Sequence, residues 1–254
     1  MRALILLSIF WMFSSYVAAQ TNAQLKFDEA NTLLKEGDYL GALNAYRDIE
    51  ETGEVSGSLF LNMGIVSVEI DSLGLAKYYF LKASDFEATI SVANEALTYV
   101  DSQFSRKSAI LPKLPWDRAI SSLIKHVGAV HVFIWGFILM TLSVLIIIVN
   151  WFYPLALPKK SILFIFICSL SVLTIFLAFY VDYVDQRYKE GIIIAKEVPV
   201  TTQPSEEADI LGIAYEGYAI TIDTFASEKS EGWYYIRLGN GQFGWIQPKG
   251  SKIL

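Results

Sequence analysis

The distribution of apolar and charged positions divides this chain into three kinds of segment. Two stretches, Val127–Val149 and Ser161–Val181, contain no Asp, Glu, Lys or Arg, and each is long enough to cross the ~30 Å hydrocarbon core of a bilayer as a helix. The segment before them carries apolar residues at helical spacing, and the segment after them has short apolar runs between turn residues. The pattern predicts a multidomain membrane protein with an all-α domain, two transmembrane helices (residues 127–149 and 161–181) and a small all-β domain.

The all-α segment, residues 20–104, repeats with a period of 34 residues. Small and aromatic positions recur at this spacing: Ala30, Gly37, Ala42 and Tyr46 correspond to Gly64, Asp71, Ala76 and Phe80. The period and the Ala-x-x-x-aromatic fragment are typical of tetratricopeptide repeats, although two unrelated helical hairpins would also fit. We predict helices at Ala23–Glu36, Tyr39–Glu51, Ser58–Ile70 and Leu73–Ser84, with Phe86–Gln103 covering the last apolar face.

The resemblance to tetratricopeptide repeats implies a concave peptide-binding face on the first helix of each repeat. It assigns six residues to that groove: Phe27, Asn31, Lys35, Leu61, Ile65 and Glu69. The same residues would also suit ordinary packing or a solvated helix face.

The first residues have the pattern of an export signal. Arg2 precedes the apolar run Ala3–Phe13, and Val17-Ala18-Ala19 offers small residues to a signal peptidase. We predict that residues 1–19 are a signal peptide cleaved after Ala19 or, as a second choice, after Ala23; an uncleaved anchor helix is the alternative.

Topology follows from this signal by parity. Export of the N-terminus and two membrane crossings place both soluble domains on the periplasmic side of a bacterial inner membrane. The loop at residues 150–160 contains Lys159 and Lys160 and no acidic residue, which suits a cytoplasmic turn under the positive-inside rule.

A linker at residues 105–126 connects the repeats to the first span. Pro112 and Pro115 interrupt any helix there. The following apolar positions have helical spacing: Trp116, Ile120, Leu123, Ile124 and Val127. This segment is either an amphipathic helix in the membrane interface or an extension of the span.

The C-terminal segment, residues 182–254, alternates short apolar runs with turn signals, which predicts five or six strands in a small barrel. Within Trp233–Leu238, period-two alternation places Tyr234, Ile236 and Leu238 on one face and Trp233, Tyr235 and Arg237 on the other. Asn240-Gly241 predicts a hairpin turn.

The sequence Gly232-Trp233-Tyr234-Tyr235-Ile236-Arg237-Leu238, followed by Gly241-Gln242-Phe243-Gly244-Trp245-Ile246, resembles bacterial SH3-type domains. Such domains bind peptides or cell-wall peptidoglycan. The resemblance makes four residues candidate ligand contacts: Trp233, Tyr235, Arg237 and Trp245. Covering the core of the barrel is the alternative role of the aromatic residues.

Charge and residue content exclude several functions. Residues 20–107 carry 7 Lys and Arg against 14 Asp and Glu, and residues 182–254 carry 7 against 11, so nucleic acid is not expected as a partner. The one cysteine, Cys168, lies within the second span. The chain has no phosphate-binding loop, catalytic triad or metal-ligand cluster, and His126 and His131 make a poor metal site on their own. We therefore expect no cofactor and no enzymatic activity.

The arrangement of signal peptide, repeats, Leu-Pro-x-Leu-Pro-Trp linker (Leu111–Trp116), membrane hairpin and SH3-type domain resembles BatE proteins of Bacteroides-type aerotolerance operons. This resemblance implies a stress-related scaffold of the cell envelope. Its expected partners are von Willebrand factor A-type membrane proteins and a MoxR-type ATPase complex. A peptidoglycan-binding envelope anchor is the alternative function, and a sensor is a weaker one, because the loop between the spans is too short for an output domain.

Overall fold

The computed structural model describes residues 22–106, 111, 115–152 and 160–254. The predicted signal peptide, the Pro112 break and most of the predicted cytoplasmic loop lie outside these residues. The chain divides into two compact units. The first contains the N-terminal helices and most of a β-sheet, and the second contains residues 110–189 with the segment Ile222–Lys229.

The described residues are mostly helical. The helices are α1 (22–36), α2 (Tyr39–Glu51), α3 (Gly57–Glu69), α4 (Leu73–Ala83), α5 (Ile90–Gln103), α6 (Pro115–His126), α7 (Ala129–Phe152), α8 (Lys160–Arg187) and α9 (Thr224–Ser227). We call α1–α5 the helical domain. The ends of α2–α4 and the last residue of α1 lie within one residue of the predicted bounds. The prediction for α5 began too early, because Thr89 closes a turn there by donating a hydrogen bond from Oγ1 to the carbonyl of Ala83 at 2.7 Å.

Small residues pack the helical domain in the way that the 34-residue period predicted. Ala30, Ala42 and Ala76 have no exposed surface. A side chain on Gly64 would collide with the ring of Phe80, which is itself buried. These positions therefore let neighbouring helices approach closely while the aromatic residues fill the space beside them.

The second unit contains two long apolar helices. Each has a part that is long and apolar enough to cross a membrane, namely Ala129–Val149 in α7 and Phe164–Arg187 in α8. The helices contact each other through Ser171, whose hydroxyl donates to the carbonyl of Gly136 at 2.9 Å, and through an edge-to-face contact of Phe133 and Phe179.

Helix α6 is separate from α7. It ends at His126, and Gly128 adopts a left-handed conformation with φ of 76° before α7 begins. Of the two alternatives for this segment, a simple extension of the span is therefore excluded. Ile120, Leu123 and Ile124 are half-buried, whereas Trp116 is exposed.

Helix α8 continues beyond the predicted second span to Arg187, and the β-structure begins at Tyr188. Asp182 accepts a hydrogen bond from Gln186 one turn later at 2.8 Å, which supports the helix. Arg187 also pairs with Asp223, just before α9, at 2.7 Å. Burial raises the pKa of the Asp223 carboxyl, but the bonds from Arg187 and the Ala226 amide outweigh burial and hold it below its ordinary value.

Seven strands form one sheet, called here the β domain, in place of the five or six predicted. The strands are β1 (Tyr188–Ile193), β2 (Glu197–Thr201), β3 (Ile210–Tyr215), β4 (Ala219–Asp223), β5 (Tyr234–Leu238), β6 (Phe243–Ile246) and β7 (Ser251–Ile253). Their order is β3-β2-β6-β5-β4-β1-β7. The predicted hairpin is confirmed: β5 and β6 pair antiparallel around Asn240-Gly241, and the amide of Leu238 donates to the carbonyl of Gln242 at 2.8 Å.

Candidate functional site

A carboxylate of the β domain caps a helix of the helical domain. Ser72 precedes α4 but makes no capping bond with its side chain. Instead, the Gly74 amide donates to Oε1 of Glu216 at 2.8 Å. Glu216 is 9% exposed. A carboxylate is favourable at this position because it satisfies a free amide and faces the positive end of the helix dipole.

Lys196 ties the same two elements together. Its ammonium lies 2.9 Å from Glu216 and 3.2 Å from Asp71, and it also donates to the Asp71 carbonyl at 2.8 Å. The hydrogen bond to Glu216 raises the pKa of Lys196; burial opposes this rise, and Asp71 adds to it, so the net pKa lies above its ordinary value. The ammonium therefore stays charged at neutral pH. We call Asp71, Gly74, Lys196 and Glu216 the interdomain latch.

Close contacts surround the latch. A side chain on Gly74 would place its Cβ 2.6 Å from the carbonyl oxygen of Ile193, so only glycine fits there without a shift. The ring of Phe104 occupies the space beside Gly217, and the Arg106 guanidinium lies 4.1 Å from the centre of the Tyr215 ring. The helical and β domains thus pack against each other within the first compact unit.

Sequence reasoning did not identify the latch. By residue type alone, Glu216-Gly217 is a turn signal of the β domain like the others. One sequence signal was available, namely that Asp71 occupies the repeat position held by Gly37. In the structure both residues have positive φ, 54° and 81°. A non-glycine residue in this conformation is uncommon and invites the question of what its side chain contacts.

The three groove residues predicted on α1 divide between interior and surface. Asn31 accepts hydrogen bonds from the Tyr46 hydroxyl at 2.7 Å and from Asn62 at 2.8 Å. Phe27 packs against Tyr46 with ring centres 5.8 Å apart. Lys35 is exposed. Asn31 and Phe27 therefore hold α1 against α2 and α3, which gives them an internal role beside the predicted one.

On α3, two of the three predicted groove residues line an open cleft. Leu61 is half-buried against the helical core. Ile65 and Glu69 are exposed and face a cleft of about 350 Å³ between α3 and α5, with Phe80 also in its lining. Its α5 residues, Val92 and Tyr99, were not among the predicted groove residues, because α5 lies outside the two matched repeats.

Three aromatic rings form a patch on the β5–β6 hairpin. Tyr235 pairs with Trp245 across the strands, with ring centres 5.0 Å apart, and stacks on Phe243 at 6.1 Å. Phe243 is half-exposed, and Arg237, opposite Phe243 in the register, is exposed. Of the predicted inner face of β5, Ile236 and Leu238 are buried and Tyr234 is only half-buried; of the other face, Arg237 is exposed, whereas Trp233 precedes the strand. Phe243 is the member of this patch that the sequence did not single out.

Trp233 lies in a different setting. It precedes β5 and lines a cleft of about 480 Å³ together with Pro199 and Ile210. Polar groups also line this cleft, namely Glu206, Gln247 and Lys249, and Gln247 donates to Glu206 at 2.9 Å. The predicted ligand contacts on the β domain therefore fall into an aromatic patch and a separate cleft.

The described residues contain no group of three or more potential metal ligands. His126 contacts the carbonyl of Ser122 on its own helix at 3.0 Å. Comparison with known proteins identifies no further chemistry: no family model matches the chain, and no curated protein or solved structure matches it either.

Proposed function

We propose that this chain is a non-enzymatic scaffold anchored in a bacterial inner membrane, with α7 and α8 as a transmembrane hairpin and both soluble domains in the periplasm. The bond between Glu216 and Gly74 is the observation that supports the placement of both soluble domains on one side. It joins a residue that precedes the hairpin in the chain to one that follows it. Two domains in direct contact must lie on the same side of a membrane, which agrees with the parity of two spans.

The surface of the apolar helices supports their insertion in lipid. Side chains along both helices are largely exposed, for example Trp135 at 62%, Phe166 at 64% and Phe176 at 69%. Apolar surface of this extent is unfavourable in water. A hydrocarbon environment removes that cost, and the backbone groups are already satisfied within the helices.

We further propose that the helical domain is a short tetratricopeptide array and the β domain an SH3-type domain, as in BatE-like proteins. The scaffold would then serve an aerotolerance-type stress complex with von Willebrand factor A-type membrane proteins and a MoxR-type ATPase. The exposed cleft between α3 and α5 and the aromatic patch offer two surfaces for protein partners. Tethering both at one membrane raises local concentrations, so weak contacts suffice.

A peptidoglycan-binding anchor is the second candidate. The cleft at Trp233 favours it, because an aromatic ring beside carboxylate, amide and ammonium groups suits a glycan with attached peptides.

Thiol labelling tests the topology. In a Cys168→Ser background, Glu54→Cys and Glu207→Cys place single thiols at exposed positions on the two soluble domains. A membrane-impermeant maleimide applied to spheroplasts should label both. Labelling of either one only after membrane disruption would contradict the proposed topology.

Capture experiments with the full chain separate the two functions. Tyr235→Ala should weaken capture of envelope proteins by about five- to thirtyfold if the aromatic patch binds them, whereas Trp233→Ala should weaken peptidoglycan capture if the cleft binds the wall. Ile253→Ala, an exposed apolar residue on β7, is the matched control. Capture that none of the variants changes would exclude both surfaces.

A further inference from the structure

The cleft between α3 and α5 has an apolar lining that is open to solvent. Ile65 is 40% exposed, Val92 53% and Tyr99 55%. Phe80 forms part of the lining and is itself buried. The cleft therefore combines a fixed apolar base with exposed apolar side chains, whose burial by a ligand would be favourable.

The charges along this cleft all have one sign. Glu69 on α3 and Glu95 on α5 contribute to the lining, and both are exposed. No Lys, Arg or His lines the cleft. Within the part of the chain that the structure describes, neither carboxylate pairs with a basic side chain. Two uncompensated carboxylates beside an apolar surface favour a ligand that brings positive charge.

From this arrangement we propose that the α3–α5 cleft binds a cationic peptide segment of a partner protein, with apolar side chains that enter the cleft and flanking Lys or Arg that pair with Glu69 and Glu95. The inference rests on the proposed scaffold function and specifies the ligand of one of its surfaces. A volume of about 350 Å³ accommodates a few side chains and not a folded domain. The ligand is therefore a short segment, and its affinity depends on ionic strength, because exposed charge pairs are screened by salt.

The test uses the full chain in nanodiscs of zwitterionic lipid and a short fluorescein-labelled peptide of leucine, lysine and serine. Fluorescence anisotropy, corrected with empty nanodiscs, should show saturable binding that weakens as sodium chloride is added. A peptide with glutamate in place of lysine should bind at least about tenfold more weakly. A peptide with serine in place of leucine should also lose binding, since the apolar contacts supply most of the favourable burial.

Matched variants assign the binding to the cleft. The double substitution Glu69→Gln and Glu95→Gln should weaken binding by about three- to tenfold and reduce its salt dependence. Glu51→Gln with Glu54→Gln removes the same charge at exposed positions outside the cleft and should leave binding unchanged. Tyr99→Ala should weaken binding of the lysine peptide without changing its salt dependence.

Three results would overturn the proposal: no saturable binding, equal binding of the lysine and glutamate peptides, or equal weakening by the two double substitutions. None of these results would contradict the scaffold function if the chain still captured envelope proteins and the impermeant maleimide labelled both thiols in spheroplasts. Loss of capture together with intact peptide binding would instead count against the scaffold function alone.

Discussion

The turns before α2 and α4 occupy the same position in the two repeats but are stabilised in different ways. Asp38 caps its own helix, because its carboxylate accepts from the Gly41 amide at 3.0 Å. Ser72, at the equivalent place before α4, makes no such bond, and Glu216 from the β domain supplies the carboxylate. The first turn is thus complete within its repeat, and the second is completed by another domain.

The residues beside these two caps also differ: those of the first repeat are exposed to solvent, and those of the second contact the β domain. Leu40 is 64% exposed, whereas its counterpart Gly74 lies against the backbone of the β domain. Gly37 makes a left-handed turn without steric cost; Asp71 adopts the same conformation and directs a carboxylate to Lys196. The packing of the two repeats is equivalent, but the second turn has become a docking surface. Four pairs of substitutions test this contrast.

The largest effect is expected from Gly74→Leu, which gives the second turn the residue of the first. The added side chain would meet the backbone at Ile193, and overpacking of this kind costs about 3 kcal/mol. We expect a loss of that size in the unfolding free energy of the detergent-solubilised chain, with faster amide exchange in the first turn of α4. Leu40→Ala is the control and should change stability by less than about 0.5 kcal/mol. Equal effects would mean that the turns are not specialised.

The equivalence of the packing is tested by Ala42→Leu and Ala76→Leu. Both alanines are fully buried, so each substitution should destabilise the chain by about 1–3 kcal/mol through overpacking. Denaturant unfolding followed by circular dichroism measures the change. If only one of the two variants is destabilised, the repeats do not share the predicted packing.

The capping difference is tested by Glu216→Ala and Asp38→Ala. The first removes a buried acceptor and leaves the Gly74 amide unsatisfied, at about 1–3 kcal/mol; the second removes an exposed cap, at about 1 kcal/mol. Hydrogen exchange distinguishes the two substitutions by which backbone amides each one exposes. Glu216→Ala should expose amides in α4 and in the turn near Tyr215, whereas Asp38→Ala should affect α2 alone. Exchange confined to the β domain in the first variant would contradict the assignment of Glu216 as the cap of α4.

The smallest effect is expected from Asp71→Gly. Glycine relieves the left-handed conformation by roughly 0.5–1 kcal/mol, while loss of an exposed ion pair costs about the same or less. We expect a net change within about 0.5 kcal/mol in thermal or denaturant unfolding. The converse variant, Gly37→Asp, introduces a carboxylate that has no basic partner in the described structure. It should lower the unfolding free energy of the chain by about 1 kcal/mol. If Asp71→Gly lowered the unfolding free energy by well above about 0.5 kcal/mol, the contact between Asp71 and Lys196 would be stronger than its exposure suggests.

Much of the architecture followed from local pattern. The 34-residue period located α1–α4 within a residue and identified Ala42, Ala76 and Phe80 as packing positions, because close helix approach restricts residue size. Uncharged stretches located α7 and α8, and alternation separated Ile236 and Leu238 from Tyr235 and Arg237. Each of these features depends on residues close together in the sequence, where periodicity carries the information.

The sequence by itself therefore determined most of the elements, their apolar faces and the repeat. Only the tertiary structure decided that Asn31 and Phe27 turn to internal partners, that α5 completes the cleft with Ile65 and Glu69, and that Glu216 caps a helix 142 residues away. The physical reason is that a free amide at a helix end can donate to any carboxylate that reaches it, wherever that carboxylate lies in the sequence. Serine is a residue type that commonly caps helices, but only the docked domains show that Glu216, and not Ser72, supplies the bond to α4.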